Sequence, residues 1–174
     1  EPDDLDLVVQ GSALEVAKLL YKLRIADGPP AVYARFGTAM VMVQGRRIEL
    51  ATARAESYQP GSRKPEVVPA SLEEDMLRRD FTINALMESL WTGEVIDLLG
   101  RGLADLKQGI LRTPRDPLLT FADDPLRMLR AVRFKHRFTL TYAPGLEEAI
   151  QEKASECRHL SQERIRDELV KMIL

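Results

Sequence analysis

The sequence predicts an α+β chain, a small sheet with one early helix followed by a run of helices. Three observations predict it. Short alternating apolar runs, punctuated by glycine and proline, fill the first part of the chain. From about Asp124 onward, apolar residues recur at three- and four-residue spacing. Between these regions lies Arg78-Arg79-Asp80-Phe81-Thr82-Ile83-Asn84-Ala85-Leu86, where charged and amide side chains interrupt an otherwise apolar helix. Phe81, Ala85 and Leu86 can face a core at helical spacing, which sets Asp80 and Asn84 one turn apart on a neighbouring face. A capped helix with a solvated, charged start is the other reading of the same residues.

The elements follow in order. Residues 5–9 alternate as a short strand, and Asp4 and Asp6, two apart, then share one face of it. A carboxylate pair at a strand end beside a helix start suits a divalent cation; Asp-x-Asp also arises by chance. Gly11 breaks the strand, and Ser12-Ala13-Leu14-Glu15 forms a capping box. The helix it opens has the stripe Ala13, Val16, Ala17, Leu20 and Leu23. Asp27-Gly28-Pro29-Pro30 is a turn. Residues 31–35, 38–43 and 47–52 read as three strands, the last two joined through Gln44-Gly45-Arg46 as a hairpin. Glu49 sits between Ile48 and Leu50. It belongs to the solvent side of an alternating strand, or completes a three-carboxylate cluster with Asp4 and Asp6 if the strands are neighbours.

Residues 59–70 read as a loop whose Arg63 and Lys64 meet either a phosphate or water. Ser71-Leu72-Glu73-Glu74 is a second capping box, and its helix is expected to run into the central stretch. Residues 88–99 suggest a hairpin turning at Thr92-Gly93, residues 101–112 a link, and Thr113-Pro114-Arg115-Asp116-Pro117 a breaker. In the stretch from Asp123 to Phe134, Asp124 before Pro125 makes an N-cap and N1 pair. Leu126, Leu129 and Val132 form an apolar line, with Arg127, Arg130 and Arg133 beside it as a basic one. Such an arginine ridge suits triphosphate or an RNA backbone, or is a solvated face. Two further helices carry Leu146, Ile150 and Ala154, and then Ser161 as a cap with Ile165, Leu169, Met172 and Ile173 as a stripe.

Composition bounds the chemistry. A chain of 174 residues with 45% hydrophobic and 30% charged residues is ordinary for a globular protein of one or two domains. No apolar run approaches the roughly 20 residues of a membrane span, and there is no signal-peptide pattern. The single Cys157 excludes an internal disulfide and fits a reducing, cytoplasmic setting. Two histidines and one cysteine do not make a zinc site of the usual kind, so a metal here would be a hard cation on carboxylates. Net charge is −2, but from Arg101 to Arg137 nine Lys/Arg face four Asp, while Glu1, Asp3, Asp4 and Asp6 make the start acidic. This segregation predicts a metal-binding end and a phosphate-facing half. The chain begins without Met and ends within a helical pattern, and is read as a piece of a longer protein.

Taken together, Asp4-Leu5-Asp6-Leu7-Val8-Val9, the Arg78 to Leu86 stretch and the Asp123 to Phe134 stretch resemble the bacterial and eukaryotic class of CCA-adding tRNA nucleotidyltransferases and their poly(A) polymerase relatives. The segment from Ala51 to Tyr58, Gly93-Glu94-Val95-Ile96-Asp97 and Ser161-Gln162-Glu163-Arg164-Ile165-Arg166 add secondary matches. The resemblance implies a polymerase-β-like nucleotidyltransferase head with a small mixed sheet at residues 1–112 and an all-helical neck at 113–174. It implies that Asp4 and Asp6 bind metal, a two-ion Mg²⁺ site, with Glu49 as the third catalytic acid. Arg79 matches a nucleotide-contacting arginine, and Asp124, Arg127, Arg130 and Arg133 match a base-reading and phosphate-binding helix. Asp123 departs from the Glu of many members. The family's Gly-Gly-x-Val-Arg-Asp phosphate loop does not precede Asp4, so the resemblance implies an enzyme core cut at both ends, not necessarily active as it stands.

The implied activity is template-independent transfer from CTP and ATP to a tRNA 3′ end, with no membrane partner. Adenylate-only transfer, as A-addition or polyadenylation, is the alternative. A non-catalytic RNA-binding module is the third reading, disfavoured by the presence of Asp4, Asp6, Asp124 and Arg127.

Overall fold

The computed structural model describes residues 4–57 and 66–173. The chain packs as two compact units, Glu1–Asp75 and Met76–Leu174.

The first unit is built on a four-stranded mixed sheet in the order β1-β4-β3-β2. Its strands are β1 (Asp4–Val9), β2 (Ala31–Tyr33), β3 (Thr38–Val43) and β4 (Arg46–Thr52), and α1 (Ala13–Lys22) packs on the sheet. As the alternation predicted, β1 joins the same sheet as the hairpin strands, parallel to β4. Leu50, Val41 and Ala39 are buried with Ala13 and Ala17 of α1, and Leu7, Val9 and Ile48 pack on the edge of this cluster. The predicted stripe of α1 holds except at its end, where Leu23 is the C-cap residue and exposed.

The β3-β4 hairpin closes through Gln44 and Gly45, both at positive φ (52° and 75°), as a two-residue turn of the I′ type requires. Asp27 clamps this turn from a distance in sequence. Its carboxylate accepts the Gln44 and Gly45 N–H groups at 3.1 and 2.9 Å, while its own N–H donates to the Met42 carbonyl. The start of α1 is tied to the sheet by the Ala13 N–H, which donates to Thr52 Oγ1 at 3.0 Å. Strand β2 stops at Tyr33, two residues short of expectation, because residues Ala34–Phe36 turn as a 3₁₀ helix ending at Gly37.

Residues 66–69, read from sequence as loop, form β6 (Glu66–Pro69), antiparallel to β5 (Arg54–Ser57). Pairing with β5 overrides the turn signal of the prolines, and Pro69 itself ends the strand, opposite Arg54. Arg63, Lys64 and Tyr58 lie outside the described residues. The second capping box is complete. The Ser71 N–H and hydroxyl both donate to Glu74 Oε2, and the Glu74 N–H returns to Ser71 Oγ. The backbone and side-chain hydrogen bonds from Ser71 hold the Glu74 carboxyl below its ordinary pKa.

That box opens α2 (Leu72–Leu77), which ends before the central stretch rather than running through it. Asp80 explains the break. Its Oδ1 accepts the Phe81 N–H at 2.8 Å and Asn84 Nδ2 at 3.0 Å, and a side chain that captures local donors competes with the helix. A 3₁₀ turn at Thr82–Asn84 follows. The predicted hairpin forms between β7 (Met87–Glu88) and β8 (Val95–Ile96), with Gly93 at φ 67°.

The second unit continues through α3 (Gly102–Gln108), β9 (Ile110–Leu111), α4 (Pro117–Asp123), α5 (Leu126–Arg137), β10 (Thr141–Tyr142), α6 (Leu146–Lys153) and α7 (Gln162–Ile173). Its core gathers Phe81, Leu111, Phe121, Met128, Ala131, Leu140, Leu146 and Ala149. The region expected to be all helical contains one short strand, β10, which pairs in parallel with β9. Helix α4 follows the breaker directly, with Asp116 as its cap (Oδ1 accepting from Leu118 and Leu119 N–H) and Pro117 at its first turn. No helix among the described residues is long and apolar enough to cross a membrane.

Gly102 is needed for close approach. A Cβ there would lie 2.7 Å from the Thr82 carbonyl oxygen and 2.8 Å from Leu86 Cδ2. The backbone oxygen cannot give way cheaply, so Gly102→Ala should destabilise the protein by about 1–3 kcal/mol, measured by denaturant unfolding against an alanine substitution at an exposed site.

Candidate functional site

The first unit presents the carboxylates. On β1, residues 5, 7 and 9 face the α1 side, so Asp4 and Asp6 stand on the opposite face, and both are exposed. The parallel register sets Asp4 beside Arg47 and Asp6 beside Glu49. Neighbouring strands therefore bring Asp4, Asp6 and Glu49 to one face of the sheet. The Glu49 carboxylate, however, is taken by Arg47 in a close ion pair. Among the described residues no three His, Cys, Asp or Glu side chains come together to hold a metal. What the face offers is a pair of oxygen donors two residues apart. That set suits Mg²⁺, which keeps several waters and commonly uses one or two carboxylates with substrate phosphates rather than an all-protein cage.

The second unit brings the central stretch and the arginine helix together around an open cleft of about 480 Å³. Arg78, Arg79, Asp80, Asn84, Asp124, Arg127, Arg130 and Phe134 line it. Four of the sequence-predicted nucleotide ligands, Arg79, Asp124, Arg127 and Arg130, are thus neighbours in one hollow. Arg133 is not in its lining; it turns to Glu168 on α7.

Each arginine has a distinct setting. Arg127 is 12% exposed and reaches across the unit, Nη2 donating to the Arg78 carbonyl at 2.6 Å and Nη1 to the Thr120 carbonyl at 3.2 Å. It therefore ties the central stretch to α4 from the first turn of α5. Arg130 donates from Nε to Asp80 Oδ2 at 2.8 Å, with Nη2 2.6 Å from the same oxygen. Its other edge faces Glu168 Oε1 at 3.5 Å, and its guanidinium lies 5.5 Å from the Phe134 ring centre. Arg133 lies over the same ring at 4.7 Å and donates to Glu168 Oε2 at 2.7 Å. Arg79 Nη1 donates to the Asn84 carbonyl at 3.3 Å.

Asp124 does act at the start of α5. Its Oδ1 accepts the Leu126 N–H at 3.2 Å, and with Asp124 extended and Pro125 already in helical conformation the expected cap and first-turn proline form, the regular helix counting from Leu126. Its Oδ2 accepts from Arg164 Nη2 of α7 at 2.8 Å. An ionised carboxylate has about four acceptor positions. Two are used here, which leaves acceptor capacity toward the cleft. Arg127 likewise spends two of its five N–H donors on the backbone carbonyls just described and keeps others.

Sequence reasoning passed over Glu168. It is 2% exposed and meets Arg130, Arg133 and Lys171, whereas the apolar stripe expected on α7 leaves Leu169 at 45% and Ile173 at 83% exposure. The one available signal is that Glu168 lies a turn beyond Arg164 on the same helix face. Near the start of α5, Cys157 Sγ sits 3.9 Å from the Pro125 carbonyl, and burial pushes its thiol pKa up.

Comparison with known proteins identifies the family. Residues 1–112 match the family described as the poly(A) polymerase head domain, and residues 140–174 match the probable RNA and SrmB-binding site of polymerase A. The chain is 39% identical to the CCA-adding enzyme of Lactobacillus helveticus over 171 residues, covering 97% of the chain and 41% of that enzyme. It is 40% identical to the A-adding tRNA nucleotidyltransferase of Aquifex aeolicus over 152 residues, covering 86% of the chain and 18% of that protein. The solved Bacillus stearothermophilus CCA-adding enzyme in complex with CTP superposes with a TM-score of 0.81 at 32% identity, over 97% of this chain and 39% of that one. The chain thus spans less than half the length of these relatives. By the match over residues 1–112, the sequence identity to these enzymes and the mixed sheet, the chain belongs to the poly(A) polymerase head-domain family and carries its polymerase-β-like nucleotidyltransferase fold.

Proposed function

We propose that the full protein transfers CMP and AMP from CTP and ATP to the 3′ end of tRNA, selecting the bases with its own side chains. The observation that carries the reading is the cleft in which Asp124 and Arg127 stand one helical turn apart beside Arg79, Asp80 and Arg130. The similarity to a CCA-adding enzyme in complex with CTP supports it. Residues 1–112 serve as the head and 113–174 as the start of the RNA-binding neck, in keeping with the two family matches.

The chemistry follows from the residue types. Cytosine and adenine both present an exocyclic NH₂ donor beside a ring-nitrogen acceptor, while guanine and uracil present a carbonyl beside a ring N–H. A carboxylate only accepts and a guanidinium only donates. Asp124 therefore takes the amino group and Arg127 serves the ring nitrogen, a pairing that suits C and A and leaves G and U with mismatched groups. Arg130, with Arg79 near it, supplies positive charge for the triphosphate, and Arg133 supports that surface from behind Phe134. Asp4 and Asp6 are the ligands for Mg²⁺, with Glu49 as an adjacent acid once it leaves Arg47. When bound, the cation supplies Lewis acidity that favours attack by the RNA 3′-hydroxyl and departure of pyrophosphate. The protein's own share is to align nucleotide and RNA for in-line transfer and to neutralise charge.

Transfer of adenylate alone is the second reading, favoured by the identity to the A-adding enzyme of Aquifex aeolicus. Incorporation of CMP and AMP by the full-length protein onto tRNA lacking its terminal CCA separates the two. CMP incorporation is expected, and AMP alone would select the second reading.

Two substitutions test the assignments. Asp4→Ala or Asp6→Ala should lower Mg²⁺-dependent transfer by roughly a hundredfold or more, the scale of removing one transition-state electrostatic contact, with tRNA binding by filter assay near normal. Retained turnover in either variant would show that these are the wrong carboxylates.

Asp124→Ala should cost ~1 kcal/mol of stability as a lost cap. It should also raise GTP and UTP incorporation relative to CTP and ATP, because a hydrogen-bonding site no longer rejects the wrong edge. Arg127→Ala should relax the same ratio, with a further stability loss because the Arg78 and Thr120 carbonyls lose their donor. Variants that are less stable but keep unchanged nucleotide ratios would refute base reading by this pair.

A further inference from the structure

Helix α7 touches the arginine helix at its start and along its middle through polar groups. Arg164 and Glu168 are four residues apart and so share one face of α7. At one end Arg164 Nη2 donates to Asp124 Oδ2 at 2.8 Å. One turn on, Glu168 accepts from Arg133 Nε at 2.7 Å and faces Arg130 Nη1 at 3.5 Å. Arg130 is in turn fastened to Asp80, and Asp80 to Asn84, so a continuous chain of charge-assisted contacts runs from α7 to the central stretch.

This is an unusual way to seat a helix. Glu168 is 2% exposed, while the apolar Leu169, Val170 and Ile173 of the same helix are 45%, 44% and 83% exposed. A buried carboxylate adds little to stability compared with an apolar side chain of similar size, since desolvation offsets most of its attraction to the arginines. What it does supply is direction. A guanidinium held on two edges by Asp80 and Glu168 cannot swing, and a carboxylate bonded on both oxygens presents its remaining lone pairs along fixed lines.

We propose that Arg164 and Glu168 are positioning residues for nucleotide recognition, dividing the task between them. Arg164 holds the Asp124 carboxylate at the angle at which it reads the base. Glu168 holds Arg130 and Arg133 at the angle at which they present charge to the triphosphate. This inference rests on the base-reading role given to Asp124 and Arg127 above. It assigns α7, which lies outside the lining of the cleft, a direct share in selectivity and nucleotide affinity.

The two residues should fail differently. Arg164 is nearly half exposed, and its replacement leaves no buried charge behind. Arg164→Ala in the full-length protein should keep its melting temperature yet lower the kcat/KM preference for CTP and ATP over GTP and UTP. The expected loss is roughly tenfold, the worth of one charge-assisted hydrogen bond. Arg164→Lys should recover part of it. Glu168→Gln should raise KM for CTP and ATP together by roughly tenfold, on the same scale, with the base preference unchanged.

Asp124→Ala, assayed in parallel, separates the failure modes. If it relaxes the preference while Arg164→Ala does not, base reading stands and the positioning role of Arg164 is wrong. If Asp124→Ala itself leaves the preference unchanged, the base-reading assignment fails and the role of Arg164 with it. Should Glu168→Gln prove too unstable to assay, the Arg164 pair still decides the proposal, because that position does not depend on burial. A Glu168→Gln protein that folds and keeps wild-type KM values would overturn the phosphate half.

Discussion

The second unit depends on a partly buried chain of opposite charges, Asp80-Arg130-Glu168-Arg133, with the Asn84 amide donating to Asp80 at one end. Arg130 lies between two carboxylates that are 9% and 3% exposed in their side chains. Removing Arg130 would leave the buried Asp80 carboxylate without its ion-pair partner, and stranding a buried charge costs more than the pair is worth. The Asp80 carboxylate ends α2 by capturing the Phe81 N–H, and the same residue orients Arg130. Glu168 docks α7, and Phe134 lies beneath both guanidinium groups. One network thus sets a helix end, a helix-helix contact and the direction of the cleft's positive charge. Its members are drawn from 78–86, 126–137 and 162–173; the first and second of these line the cleft, and the third holds Arg130 and Arg133 from outside it.

The first unit solves a different problem, chiefly with strand pairing and apolar packing. Its parallel β1-β4 pair fixes which face the carboxylates occupy, because a one-residue slip would send Asp4 and Asp6 into the apolar cluster under α1. Asp27 grips the hairpin turn from outside the strands, and Thr52, the last residue of β4, anchors the start of α1 to the sheet. The sheet face that results is simple. It holds exposed carboxylates with one neighbouring ion pair, and its chemistry comes from what it can bind.

Helix α5 shows how one set of residues serves structure and recognition together. Asp124 caps the helix and keeps acceptor capacity. Arg127 braces two backbone carbonyls and keeps donors. The choice between a cap and a base reader is therefore not exclusive here. The bracing contacts are what hold a flexible guanidinium still, and a fixed donor beside a fixed acceptor is what discrimination between base edges requires.

Local signals determined much of this protein. Period-two alternation placed β1, β3 and β4 and put Asp4 and Asp6 on one face, because side-chain direction in a strand depends only on position parity. The Ser71-Glu74 box and the Asp124-Pro125 start were readable for the same reason, as their partners lie within three residues. The tertiary structure decided what such signals cannot reach. Residues 66–69 became a strand through pairing with 54–57, and β10 appeared within helices by pairing with β9. The arginine ridge read as one basic line is divided among Asp80, Glu168 and the Arg78 carbonyl, 35 to 50 residues away, and of the stripe expected to bury α7 only Ile165 and Met172 are partly covered, while Glu168 is buried. A long charged side chain takes the partner that packing brings to it, and no local pattern records which partner that will be.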